Sequence, residues 1–162
     1  MSDTRRAQLN DPHLTLVGLF HEGFTGLRHE LERRLRSECG LSLQRFVLLL
    51  RLARSPDRRL RMSDLADQTS LTPSGLTRAI DRLESAGLVE RVACPSDRRG
   101  AFAALTTKGL EQVTAAVGPH LRHIDDALVS VLTEDEIEDL ERILRKVRDR
   151  VNPGAARPPQ PV

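Results

Sequence analysis

Residues 62–109 read MSDLADQTSLTPSGLTRAIDRLESAGLVERVACPSDRRGAFAALTTKG. Near the middle, Thr72 precedes Pro73, and Leu76, Ile80 and Leu83 then recur at helical spacing. A threonine hydroxyl accepts a hydrogen bond from the otherwise orphaned N–H groups of a first turn. Proline suits the first helical position, where its missing N–H would have had no partner. Gly87 supplies a left-handed stop. The spacing therefore predicts a helix over about residues 72–86, with Leu76, Ile80 and Leu83 as its buried face. Upstream, Ser63 is a candidate N-cap with Asp64 well placed in the first turn. This predicts a short helix to about Gln68 whose Leu65 and Ala66 face inward, joined to the next by Thr69 to Thr72.

After Gly87 the period changes. Leu88 to Ala93 reads as a strand, Cys94 to Gly100 (CPSDRRG) as turn chemistry, and Ala101 to Leu105 as the return strand. Short helix, turn, capped helix and charged hairpin in succession make a winged helix-turn-helix. The second helix of such a unit enters the major groove with its N-terminal end first. That end holds Thr72, Ser74, Gly75, Thr77 and Arg78, and of these Ser74, Thr77 and Arg78 lie opposite Leu76 and Ile80. Hydroxyls reach base edges or phosphates, and arginine takes guanine bidentately. Gly75 is a poor helix former, but it lets a backbone come close. Arg82, one turn on, reaches phosphate. The hairpin tip carries Asp97, Arg98 and Arg99. Arginine on a rigid loop suits the narrow minor groove, where negative potential concentrates, and a nearby carboxylate steadies the loop.

The flanks read as helices. Leu14, Val17, Phe20, Phe24, Leu27, Leu31 and Leu35 form one stripe up to Gly40. Ser42 caps a second helix with Leu43, Phe46, Val47, Leu50 and Ala53 inside, stopped at Ser55-Pro56-Asp57. From Thr106 another stripe runs through Leu110, Val113, Val117, Leu121, Ile124, Leu128 and Val131, and Pro119 predicts a bend or a split. Thr133 and Glu136 form a capping box for a last helix with Ile137, Leu140, Ile143, Leu144, Val147 and Val151. Residues 1–12 read as a flexible N-terminus and 152–162, with four prolines, as a disordered tail. The fold class is mainly α with a small β-hairpin wing. A winged helix-turn-helix over 41–105 joins a helical dimerisation region over 13–40 and 106–151. The flanking stripes hold more apolar surface than the central unit needs to cover, and two-fold pairing would bury it.

Net charge is +2 across 162 residues, but its distribution is uneven. Residues 41–109 carry twelve basic and seven acidic side chains, and residues 110–151 carry six and ten. The basic excess coincides with the helix-turn-helix and hairpin, as expected for a partner of double-stranded DNA. Aromatics are 2% of the chain, so the core is Leu, Val, Ile and Ala, which suits helices. No apolar run reaches the ~18 residues of a membrane span, and no apolar signal core follows Arg5 and Arg6. The expected setting is cytoplasmic, with no membrane contact.

Over residues 62–109 the chain resembles the multiple-antibiotic-resistance regulator (MarR) family of transcription factors. The carrying pattern is LA…LT.S.LTR.ID.LE..GLV.R, then D.R and LT..G, and the likeness extends over about residues 14–151. The resemblance implies that Asp97 and Arg99 are the family's wing D-x-R. It implies that Thr72, Ser74, Thr77 and Arg78 are its groove-facing positions. It further implies a homodimeric repressor on a pseudo-palindromic operator, often controlled by a small ligand or an oxidant.

No regulator is legible. Family members that sense oxidants use a cysteine near the start of the first helix, and this chain has only Cys39 and Cys94. Both read as reduced thiols, although Arg98 and Arg99 would lower the pKa of Cys94. Phe20, Phe24 and Phe46 are candidates to line a pocket for a small-molecule effector. His120 and His123 share a helix face, but no zinc spacing exists, so no metal or cofactor is expected. A phosphate loop, Gly-x-Ser-x-Gly and His-Glu-x-x-His are all missing from the sequence, which argues against an enzyme. The competing class is a helical protein-interaction module that uses the winged helix as a scaffold.

Overall fold

Helix α1 (Pro12–Cys39) starts where Asp11 accepts from the His13 N–H and ends at Gly40, whose φ of 64° is left-handed. This is the computed structural model, and it describes residues 8–94 and 97–156, with the side chains of 94 and 97–99 outside the described set. Helix α2 (Leu43–Ala53) is capped by Ser42. Strand β1 (Arg59–Arg61) follows a 3-10 turn and runs directly into α3 (Met62–Thr69). Helix α4 (Pro73–Ser85) leads to β2 (Val89–Cys94) and β3 (Asp97–Leu105), then α5 (Thr107–Ala127), a 3-10 turn at Val129–Val131, and α6 (Glu134–Val151).

Several expectations need correction. The hairpin belongs to a three-stranded antiparallel sheet of order β1-β3-β2, with Leu60 opposite Ala103. A three-residue strand with one buried side chain is too short to show a period. Because β1 feeds straight into α3, that helix starts at Met62, and Ser63 lies inside it rather than capping it. In α2 the buried residues are Phe46, Leu48, Leu49 and Leu52, while Leu43, Val47, Leu50 and Ala53 are only half-buried. The run FVLLLRLA is apolar on nearly every side, so periodicity alone misplaces its face. Pro119 does not split α5, which is continuous to Ala127; the break falls at Leu128, with φ −136° and ψ −55°. Val113 and Ala116 before the proline, and His120 and His123 after it, are all buried. Packing on both sides outweighs the missing hydrogen bond.

The tail is also partly ordered. Residues Pro153–Ala156 form a 3-10 turn against α3. Asn152 Nδ2 donates to Ser70 Oγ at 2.6 Å, and Gly154 lies close against Asp67.

One core joins the end of α1, α2, α3, α4, β1 to β3 and the first half of α5, centred on Leu35, Phe46, Leu49, Leu52, Leu65, Ile80, Leu83 and Val113. It takes in Leu35 of the first stripe, and Leu31 is buried as well, but Leu14, Val17, Phe20 and Phe24 are exposed. Helix α6 has its capping box, with Thr133 N–H donating to Glu136 Oε2 at 2.8 Å, yet none of its residues is buried. The winged unit is thus closed by the end of α1 and the first half of α5, and the apolar faces beyond them are open.

Candidate nucleic-acid interface

Helix α4 is built to present its first turn. Thr72 Oγ1 accepts from the Gly75 N–H at 3.1 Å, and Leu76, Ala79, Ile80 and Leu83 fix the opposite face in the core. A Cβ on residue 75 would stand 3.0 Å from Thr72 Oγ1, so glycine also makes room for the cap. Thr72, Ser74, Thr77 and Arg78 are exposed together on the outer side. The Thr77 hydroxyl donates to Pro73 O at 2.9 Å, which leaves its oxygen free to accept. Arg78 Nε donates to Ser74 O at 3.4 Å and lies back along the helix. These side chains form one polar, cation-bearing edge.

Arg82 stands apart from them. It lines a hollow of about 860 Å³ between α1, α2 and the α3–α4 corner, with Phe24, Arg28, Glu32, Arg36 and Arg45. Glu32 is the one carboxylate there; it accepts from Arg36 and from the Leu43 N–H. Burial works against its charge, but those donors prevail and hold its pKa below the usual carboxylate range.

The wing is seated firmly at its base. Thr106 Oγ1 donates to Gly87 O at 2.8 Å, and Lys108 Nζ donates to Ala86 O at 2.9 Å at the end of α4. Gly109 sits against Leu88, where a Cβ would come within 2.1 Å of the carbonyl oxygen. Arg59 and Arg61 of β1 place their guanidiniums 5.4 and 5.5 Å from the centre of the Phe102 ring. The backbone of Asp97, Arg98 and Arg99 opens β3, and Asp97 pairs with Cys94 after an irregularity at Ala93/Cys94. The side chains of Asp97, Arg98, Arg99 and Cys94 lie outside the described residues.

Sequence reasoning missed Arg91. This β2 residue bonds Asp81 and Glu84 of α4. Burial opposes its charge, but the two carboxylates outweigh that and raise its pKa. The signal was present in LTRAIDRLESAGLVER, where two acids three apart on one helix face precede an arginine on the next strand.

The structure does not bring the three candidate pocket residues together. Phe20 and Phe24 are exposed and stacked, with ring centres 6.5 Å apart, on an open hollow faced by Leu128, Ile137, Leu140, Leu144 and Val147. Phe46 is instead a core residue, its ring 4.4 Å from that of His120. His123 meets Glu38 at 2.8 Å. Burial, and then the charge of His123, lower the His120 pKa. Burial also pushes the Cys39 thiol up, away from thiolate chemistry. Among the described residues no group of three or more His, Cys, Asp or Glu is placed to hold a metal.

None of the described helices is long and apolar enough to cross a membrane. The family model described as MarR family matches residues 40–100. The HTH-type transcriptional repressor Mb2911 of Mycobacterium bovis is 34% identical over 121 residues, covering 75% of this chain and 84% of its own. The structure of Sco3205, a MarR family transcriptional regulator from Streptomyces coelicolor in complex with DNA, superposes with a TM-score of 0.83 at 35% identity. That match covers 88% of this chain and 89% of Sco3205. A mutant MarR from Escherichia coli complexed with operator DNA superposes at 0.71 with 30% identity, covering 85% and 96%. The chain therefore belongs to the MarR family: it is a winged-helix DNA-binding transcriptional regulator, not an enzyme.

Proposed function

We propose that the chain acts as a homodimeric repressor that reads a pseudo-palindromic operator in the cytoplasm. The observation that carries this reading is the exposed, capped first turn of α4 beside the wing, with Ser74, Thr77 and Arg78 on one edge. In this reading α4 enters the major groove, with Thr72 and Gly75 at its leading end. Arg98 and Arg99 of the wing follow the minor groove, and Asp97 braces them. The DNA complexes of Sco3205 and Escherichia coli MarR, and the repressor name of Mb2911, support it.

The dimer would use residues 13–40 and 106–151. Leu14, Val17, Phe20 and Phe24 are each more than half exposed, and the apolar face of α6 is uncovered. Gly18, Gly23 and Gly26 in α1 have nothing within 4 Å of where a Cβ would sit. Each glycine costs a helix about 1 kcal/mol against alanine, which close approach of a second backbone would justify. Helix α6 is acidic over Glu134–Glu141 and mainly basic over Arg142–Arg150. An antiparallel, two-fold-related copy would set opposite charges side by side.

The arginine-lined hollow beside Arg82 lies between the dimer helices and the winged unit. It suits an anionic small-molecule effector, whose binding would shift α4 relative to α1. Arg82, the candidate phosphate contact of α4, would then link the effector site to the DNA-reading helix.

Substitution separates the two DNA-reading parts. Arg78→Ala should change the preferred base at one position per half-site, at roughly 1–3 kcal/mol for a bidentate contact. Arg99→Ala should weaken binding while sedimentation still reports a dimer. Unchanged affinity in Arg99→Ala would remove the wing from the interface.

A further inference from the structure

Ser74, Thr77, Asp81 and Glu84 follow one another at steps of three and four, so they form a single line along α4. The line starts with the hydroxyls assigned above to base and phosphate contacts and ends in two carboxylates. DNA carries one negative charge per roughly 1.7 Å of its axis. Two bare carboxylates one turn behind the reading residues would repel it.

Arg91 meets both of them. Its Nη2 donates to Asp81 Oδ1 at 2.5 Å and reaches Thr77 O at 3.4 Å, and its Nη1 donates to Glu84 Oε2. The backbone N–H of Arg91 donates to the second oxygen of Glu84 at 3.2 Å. Strand β2 is thus stapled to the middle of α4 by four bonds from one residue. The side chains of Asp81 and Glu84 are 54% and 40% exposed, and ion pairs so open to water add little to folding stability. What the staple fixes is where the two negative charges point and how the wing strand sits against the helix.

We propose that Arg91 is a positioning residue for DNA reading: its guanidinium gathers Asp81 and Glu84 away from the phosphates and sets the wing strand against α4. The inference rests on α4 lying in the major groove, as proposed above. A lysine cannot replace it fully, because an ammonium is a point charge without the planar fork. Arg91 is also not a direct phosphate contact, since its donors are already committed to α4.

The test measures binding to the tightest duplex selected from a random pool, across a salt series, for the dimeric protein and its variants. Arg91→Ala should weaken binding about tenfold, the scale of one uncompensated close charge pair. Arg91→Lys should fall between Ala and the parent. Adding Asp81→Asn and Glu84→Gln to Arg91→Ala should restore most of the loss. The slope of log K against log salt should stay the same, because no phosphate contact is removed. Unfolding midpoints should stay near the parent's. Three results overturn the proposal: full affinity in Arg91→Ala, no recovery in the triple variant, or a slope reduced by about 0.9, the mark of a lost phosphate contact. Arg78→Ala serves as the reference arm. A shifted base preference there, beside a neutral Arg91→Ala, rejects the staple alone. No effect of either rejects the groove placement, and the staple with it.

Discussion

Glutamate at both Leu144 and Val147 is expected to convert the proposed dimer to monomers and to lower operator affinity by about a hundredfold or more, because the second half-site no longer binds as part of the same molecule. Both side chains are partly exposed in the single chain, at 39% and 45%, and face the hollow bounded by Phe20 and Phe24. The surrounding surface is apolar, and large exposed apolar patches mark contact surfaces. Charge placed in the centre of such a contact is desolvated without a partner. The winged unit should survive, because its core draws on no residue of α6. Sedimentation velocity and DNA titration together read the outcome. A variant that stays dimeric with unchanged affinity would remove α6 from the dimer contact.

Among the glycines whose surroundings are described, Gly109→Ala should be the most damaging. The added Cβ would lie 2.1 Å from the Leu88 carbonyl oxygen and 2.8 Å from Leu105 Cδ1. Neither neighbour moves easily. The Leu88 oxygen accepts from the Thr106 N–H at 3.1 Å, and the Leu88 N–H donates to Leu83 O at 2.9 Å. The first turn of α5 would have to lift off the end of α4 and the base of the wing. Overpacking of this sort costs roughly 3 kcal/mol, or a melting point lower by roughly 10 °C for a chain this long. The comparison is made at equal protein concentration, since dimerisation shifts melting points. DNA affinity should fall too, because Lys108 and Thr106 would lose their bonds to the end of α4. A melting point within a degree or two of the parent would mean that α5 is not seated on Leu88.

Much of the helical framework was legible because its signals are local. Thr72-Pro73, Gly40, Gly87 and the Thr133–Glu136 box each depend on a few adjacent residues, and each sits where its chemistry predicts. Features that depend on distant partners were not legible. Strand β1 exists because β3 offers it a ladder, and three residues carry no period of their own. Helix α5 runs through Pro119 because the packing of Val113, Ala116, His120 and His123 outweighs a local rule. The face of α2 was ambiguous because almost every position is apolar. In the candidate interface, the edge of Ser74, Thr77 and Arg78 followed from helical spacing, whereas Arg91 needed the strand brought beside the helix. The glycine of the LT..G pattern, Gly109, had no sequence rationale. Its reason is the Leu88 carbonyl.

The most direct measurement selects duplexes from a random pool with the 162-residue chain and footprints the winners. The expected product is a pair of two-fold-related half-sites centred about 10 base pairs, one helical turn, apart. Protection should cover both half-sites, and affinity should fall steeply with salt. Retention of DNA without any sequence preference, or selection of a single unrepeated half-site, would contradict a dimeric sequence-specific repressor.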